Sequence, residues 1–257
     1  METAGPYAEV ERALAGSAFG RITYIAQTTS TNADAAALLG LPEALGLTIV
    51  AESQSGGAGR KGRSWIAPPG SGLLLTTILP SAMAATDAWI VPFWVALALR
   101  DALQRHGIPT EVHWPNDLLL HGAKIAGILC TSRIIGEQAW VACGIGVNTH
   151  RFAEAGTAIT PPPAFCDDVA TVARDTLLRE ILLTFDARLS LLTTPQHLAR
   201  RWEQAAGLPG RRYRVLRDGE EHPFEATALA LATGGALIIE RDGRREQIDL
   251  ADARALR

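Results

Sequence analysis

Cysteine is scarce in this 257-residue chain, where only Cys130, Cys143 and Cys166 occur. An odd number at no metal-ligand spacing supplies neither a disulfide framework nor a zinc site, and it favours a reducing compartment, the cytoplasm. The six histidines are scattered without an H-x-x-x-H pair, so no structural metal is expected. Positive charge is not in excess: 24 Lys and Arg stand against 27 Asp and Glu. A global field drawing the chain to nucleic acid or anionic lipid is thereby excluded. The longest uncharged apolar run, Ala88–Leu99, is broken by Pro92 and falls well short of the roughly 20 residues a membrane span requires. Residues 1–20 carry Glu2, Glu9 and Glu11 and no apolar core. They do not read as a signal peptide and are too few for a helix-turn-helix module.

What remains is an ordinary globular composition, 47% apolar and 20% charged, sized for one large domain with at most a small appendage. Ile22–Ile25, Leu47–Ala51, Leu73–Leu79, Glu111–Trp114 and Ala139–Val147 read as strands, and Leu118–Leu120 with Lys124–Leu129 as a hairpin around His121-Gly122-Ala123. Ala33–Leu39 is a short helix closed by Gly40, and Asp87–His106 is a buried one closed by Gly107. Amphipathic helices are expected over Asp167–Leu192 and Gln196–Ala206. After Gly207-Leu208-Pro209-Gly210 the pattern changes to four short strands, Arg212–Leu216, Phe224–Ala232, Ala236–Glu240 and Glu246–Leu250. Asp218-Gly219, Thr233-Gly234-Gly235 and Asp242-Gly243 punctuate them as hairpin turns. A small barrel is expected there, with a boundary near residue 208 separating 1–207 from 208–257.

The segment Ser53-Gln54-Ser55-Gly56-Gly57-Ala58-Gly59-Arg60-Lys61-Gly62-Arg63-Ser64-Trp65 concentrates glycines and cations after an apolar strand. Glycines let backbone N–H groups converge on anionic oxygen, while Arg60, Lys61 and Arg63 supply charge. Gly57-x-Gly59-x-x-Gly62 superficially matches a dinucleotide fingerprint, and Gly57-x4-Gly62-Arg63-Ser64 nearly a P-loop. Both need a helix directly after the last glycine. Trp65-Ile66-Ala67-Pro68-Pro69-Gly70-Ser71-Gly72 forbids one, so a phosphate loop of another kind is expected.

Three further segments are polar or glycine-rich ends of apolar elements: Thr29-Ser30-Thr31-Asn32, His113-Trp114-Pro115-Asn116-Asp117 with Lys124-Ile125-Ala126-Gly127-Ile128-Leu129, and Gly144-Ile145-Gly146-Val147-Asn148. In this order and spacing, with the glycine loop, they resemble the catalytic domain of bacterial biotin protein ligases over residues 20–257. The resemblance implies an α+β fold, a mixed β-sheet with packed helices, and a C-terminal SH3-like barrel. It implies the monofunctional type, lacking an N-terminal DNA-binding domain. The implied reaction joins biotin to ATP as biotinyl-5′-AMP and transfers it to a lysine of the biotin carboxyl carrier protein of acetyl-CoA carboxylase. ATP and Mg²⁺ would be required, with no nucleic acid or membrane partner, in a monomer or homodimer.

By the same resemblance, biotin is held by Ser30, Thr31, Asn32, Gln54, Gly57, Ala58, Gly59, Arg60, Lys124 and Gly127. Arg60, Lys61, Arg63, Trp65, His113, Asn116 and Asn148 face ATP. Lys124, Arg60, Asn116 and Asp117 carry the chemistry, with Asn116 and Asp117 as Mg²⁺ donors. Taken alone, one of Ser30, Thr31 and Asn32 caps the following helix equally well, and Asn116-Asp117 is also a turn signal. Ala58 stands where the family usually has arginine, and His113 where it has lysine, each removing a cation. A lipoyl or octanoyl ligase or transferase, and a non-catalytic biotin or adenylate sensor, are the competing readings.

Overall fold

The computed structural model describes residues 4–153, 155, 159, 161–249 and the backbone of 253–256. Its larger sheet contains β1 (Arg21–Thr28), β2 (Leu47–Gln54), β3 (Gly72–Ile78), β4 (Met83–Ala84), β5 (Glu111–His113), β6 (Asp117–Leu120), β7 (Ala123–Ile135) and β8 (Gln138–Asn148). The strand order is β1-β2-β3-β8-β7-β6-β5, with β4 beside β8. β1 and β2 run parallel, joined through helix α2 (Thr31–Leu38), and the other pairings are antiparallel. An N-terminal helix, α1 (Ala8–Ala13), precedes them; residues 1–20 had no element assigned from sequence.

The two faces of this sheet differ. One is sealed by α3 (Val91–Arg105), α4 (Arg174–Arg188) and α5 (Pro195–Ala206), which bury Phe93, Trp94, Phe185 and Trp202 against Leu73, Leu75, Val141 and Val147. Pro92 sits in the first turn of α3, where its missing N–H costs nothing, and Gly107 takes the left-handed conformation beyond the C-terminus. On the other face, Ala35 and Leu39 of the α2 segment join a smaller cluster with Ile49, Ile78 and Ala142, edged by Ile25, Leu47 and Trp140. The rest of that face is left for the functional site.

Two expectations need correction. The helix expected over Asp167–Leu192 begins only at Arg174. The acidic side chains before it bind backbone instead: Arg151 N–H donates to Asp167, and Phe165 N–H donates to Asp168, capping the start of a 3₁₀ turn over Cys166–Asp168. The C-terminal sheet has five strands rather than four: β9 (Arg212–Arg217), β10 (Phe224–Leu231), β11 (Leu237–Arg241), β12 (Arg244–Ile248) and β13 (Ala253–Leu256), in the order β12-β11-β10-β9-β13. β13 lacks a turn signal before it, but it pairs with β9 over Arg214–Arg217. This separate antiparallel sheet is consistent with an SH3-like domain. It packs on the larger sheet through Tyr213, Val215 and Leu237, part of the same continuous core. Trp114 Nε1 donates to Gly235 O at 3.1 Å, and Arg211 pairs with Glu111 at 2.9 Å.

Candidate active site

A cavity of about 370 Å³ opens on the half-covered face. Its floor is made of glycines because no side chain fits. A Cβ on Gly144 would lie 2.5 Å from the Asn32 amide, one on Gly146 2.5 Å from the Trp65 ring, and one on Gly127 2.9 Å from that ring. Alternation along β8 puts Gly144 and Gly146 on one face and Cys143, Ile145 and Val147 on the other.

At one end stands the polar start of α2. The Ser30 side chain makes no capping bond. The Thr31 N–H instead donates to Gln54 Oε1 at 2.8 Å, so a side chain from β2 satisfies the helix terminus. Thr31 Oγ1 donates to the same oxygen at 3.1 Å. Asn32 Nδ2 donates to Leu129 O at 3.0 Å. Beneath them the fully buried Thr76 Oγ1 lies 2.8 Å from Thr31 Oγ1 and 3.2 Å from Asn32 Oδ1.

Cations gather at the other end. The glycine loop folds back on itself: Gly59 N–H donates to Arg63 O at 2.6 Å, and Trp65 N–H to Gly57 O at 2.8 Å. Arg60 and Arg63 line the cavity with Trp65, Asn116, Lys124 and Asn148. Burial depresses the Arg60 pKa, and the neighbouring Arg63 lowers it further, while Asp117 and Asp218 oppose the shift. A guanidinium remains a cation regardless. Lys124 Nζ contacts Asp117 Oδ1 at 2.6 Å, with the side chains only 16% and 10% exposed. The ammonium also lies 5.4 Å from the centre of the Trp65 ring, within cation–π range.

Amide geometry holds this end together. Asn116 Nδ2 donates to Ile128 O at 2.6 Å and Ile128 N–H returns to Asn116 O at 2.9 Å, clamping β7 to the turn before β6. Asn148 Nδ2 donates to Ala164 O at 3.1 Å and Lys124 O at 3.3 Å.

Most residues singled out from sequence therefore meet around one cavity: Thr31, Asn32, Gln54, Ala58, Gly59, Arg60, Arg63, Trp65, Asn116, Lys124, Gly127 and Asn148. Asp117 reaches it through Lys124, and Gly57 lies behind Trp65. Ser30, Lys61 and His113 do not line it. Lys61, in a left-handed conformation, turns to Asp218 in the turn after β9 at 2.6 Å. His113 is buried against the Tyr213 ring, 4.8 Å between centroids. Thr76 and Asp218 also act at the site, although neither belongs to a segment that stands out in the sequence. Two threonines in the otherwise apolar Leu73–Leu79 strand were the signal for the former; nothing local marks the latter.

Residues 24–148 match the Biotin/lipoate A/B protein ligase family. The biotin–[acetyl-CoA-carboxylase] ligase of Paracoccus denitrificans is 41% identical over 152 residues, which are 54% of this chain and 60% of that protein. The ligase of the same name from Mycobacterium tuberculosis is 28% identical over 95% of this chain and 92% of its own length. Among solved structures, a biotin protein ligase from Aquifex aeolicus in complex with biotin and ATP superposes with a TM-score of 0.73. It covers 92% of this chain and 99% of its own at 19% identity, a likeness of fold. By the family match and these relatives, the chain is a homologue of the bacterial biotin–[acetyl-CoA-carboxylase] ligases, and its residues 24–148 are a biotin/lipoate A/B protein ligase domain.

Proposed function

We propose that the protein activates biotin with ATP and transfers it to a carrier-protein lysine of acetyl-CoA carboxylase. The observation that carries this reading is a single cavity with neutral donors and acceptors at one end and Arg60, Arg63 and Lys124 at the other. Such a site suits a molecule with a polar, uncharged head and an anionic tail meeting a second anion.

In the first step a biotin carboxylate oxygen bonds to the α-phosphorus of ATP, the bond to the bridging oxygen breaks, and pyrophosphate leaves. Two anions must approach each other, so Lys124 and Arg60 lower the repulsion and hold the reacting oxygens. In the second step the neutral carrier lysine amine bonds to the acyl carbon and releases a proton, the acyl carbon–oxygen bond breaks, and AMP leaves with that oxygen. No covalent enzyme intermediate is needed.

Thr31, Asn32 and Gln54 hold the ureido ring, with Ser30 behind them. Gly57, Ala58, Gly59 and Gly127 let the backbone approach the acid. Arg63, Trp65, Asn116 and Asn148 face the nucleotide. Lys61 and His113 act on it only from outside the wall. Mg²⁺ fits as a cation arriving on the triphosphate: Asn116 Oδ1 and the second Asp117 oxygen are hard donors, and no group of three His, Cys, Asp or Glu occurs among the described residues. Bound there, it would neutralise phosphate charge. Residues 208–257 form the appended domain in this reading, and the carboxyl carrier domain is the acceptor.

Incubation of a biotin carboxyl carrier domain with the protein, ATP and either biotin or lipoate tests it. The expected result is a biotin mass increment on one lysine, with pyrophosphate release that depends on biotin. A lipoyl increment in its place would assign the protein to the lipoate side of the family. Pyrophosphate release without any acid would refute the activation step.

A further inference from the structure

We infer that Thr76 is the positioning residue that sets the donor and acceptor pattern at the neutral end of the cavity; this rests on reading that end as the biotin site. Thr76 sits on β3, fully buried behind the cavity wall. It belongs to none of the polar or glycine-rich segments.

The two amides are oriented by backbone groups whose roles are fixed. An N–H can only donate, so the Gln54 atom 2.8 Å from Thr31 N is Oε1. A carbonyl can only accept, so the Asn32 atom 3.0 Å from Leu129 O is Nδ2. Gln54 therefore keeps its Nε2 donors for another partner, and Asn32 turns Oδ1 toward Thr76. The Thr31 hydroxyl proton is directed to Gln54 Oε1, leaving Thr31 Oγ1 as an acceptor on its other side.

Thr76 thus faces two acceptors, Thr31 Oγ1 at 2.8 Å and Asn32 Oδ1 at 3.2 Å. A hydroxyl carries one proton, so it satisfies one acceptor and leaves the other for a ligand N–H. Gln54 Nε2 answers a ligand carbonyl. A ureido ring offers N–H groups and a carbonyl; a dithiolane or alkyl head offers neither. The single Thr76 hydroxyl thereby holds Thr31 and Asn32 in the arrangement that selects a ureido head.

The test is calorimetric titration of the full chain with biotin, together with separate KM values for biotin and ATP, for the parent, Thr76→Val and Thr76→Ser. Valine keeps the shape and removes the hydroxyl. The expected result is about tenfold weaker biotin binding for Thr76→Val, the scale of one buried hydrogen bond left unmade, with the ATP KM unchanged and Thr76→Ser restoring the parent value. Parent binding of biotin with Thr76→Val equal to it overturns this inference alone. Equal losses for biotin and ATP, or no rescue by serine, reduce Thr76 to a packing residue and also overturn it. A parent that fails to bind biotin removes the underlying reading as well.

Discussion

The two ends of the cavity are built on opposite rules. At the neutral end both amides are tied to neighbours, and backbone partners on α2 and β7 dictate their orientation. The charged end concentrates like charges on a loop with an ion pair to the turn after β9, at Lys61 and Asp218. Satisfied networks inside low-dielectric surroundings are stiff, whereas loop cations adjust to whatever anion arrives. Recognition of the head is thus preorganised and capture of the phosphates adaptable. Substitutions at the two ends should fail differently.

The largest effect is expected at the junction. Lys124 is the only lysine on the cavity wall among the described residues, and it is positioned by Asp117 on one side and Trp65 on the other. Lys124→Ala should slow adenylate formation by about 10²–10³, the scale of losing one preorganised charge at a reacting centre, while biotin binding changes far less. Single-turnover pyrophosphate release gives the measurement. A rate within a few-fold of the parent would show that the arginines alone bring the anions together.

Gly144 and Gly146 allow a direct contrast, since they lie on the same face of β8 and a Cβ on either meets an obstacle at 2.5 Å. The obstacle at Gly144 is the tethered Asn32 amide. At Gly146 it is Trp65, whose buried Nε1 has no hydrogen-bond partner among the described residues. Gly144→Ala must break bonds to Leu129 and Thr76 and should raise the biotin KM by about tenfold or more. Gly146→Ala should shift the indole and change mainly the ATP KM, by a smaller factor. Steady-state kinetics with each substrate varied would separate them, and identical profiles would erase the distinction between the ends.

The charged end was the more legible in sequence, because glycines and cations crowd into one loop and phosphate chemistry needs both. The larger sheet was legible too, through its apolar strands and the Pro-Asn-Asp turn. Local signals could not reveal partners brought together by topology. Thr76 looked like one more residue of a buried strand, and Asp218 like a hairpin turn. Lys61, grouped with the arginines by adjacency, faces away because its left-handed backbone reverses the side chain. Asp167 and Asp168 looked like the first turn of a helix, yet they bind backbone and residues 169–173 stay non-helical.

Ala58 lines the cavity at the loop's inner bend, bridged to Ser64. Ala58→Arg adds a third guanidinium to Arg60 and Arg63 and should slow release of bound adenylate by about tenfold, one charge-assisted contact. A filter-trapped release assay reads it. No change would mean that the existing arginines already saturate the phosphate.

The smallest effect should come from Asp218. Its carboxylate holds Lys61 at 2.6 Å, but the side chains are 25% and 61% exposed, and such pairs contribute about 0–1 kcal/mol. Asp218 also acts on Arg60 electrostatically, so the carboxylate competes with phosphate for the loop's charge. Asp218→Asn should therefore lower the ATP KM by less than about fivefold, an effect that shrinks as salt is raised. The biotin KM should not respond, because the neutral end has no ionic partner to screen. A rise in the ATP KM would mean that the ion pair orders the loop for the nucleotide, making the charged end preorganised as well and closing the gap between the two ends.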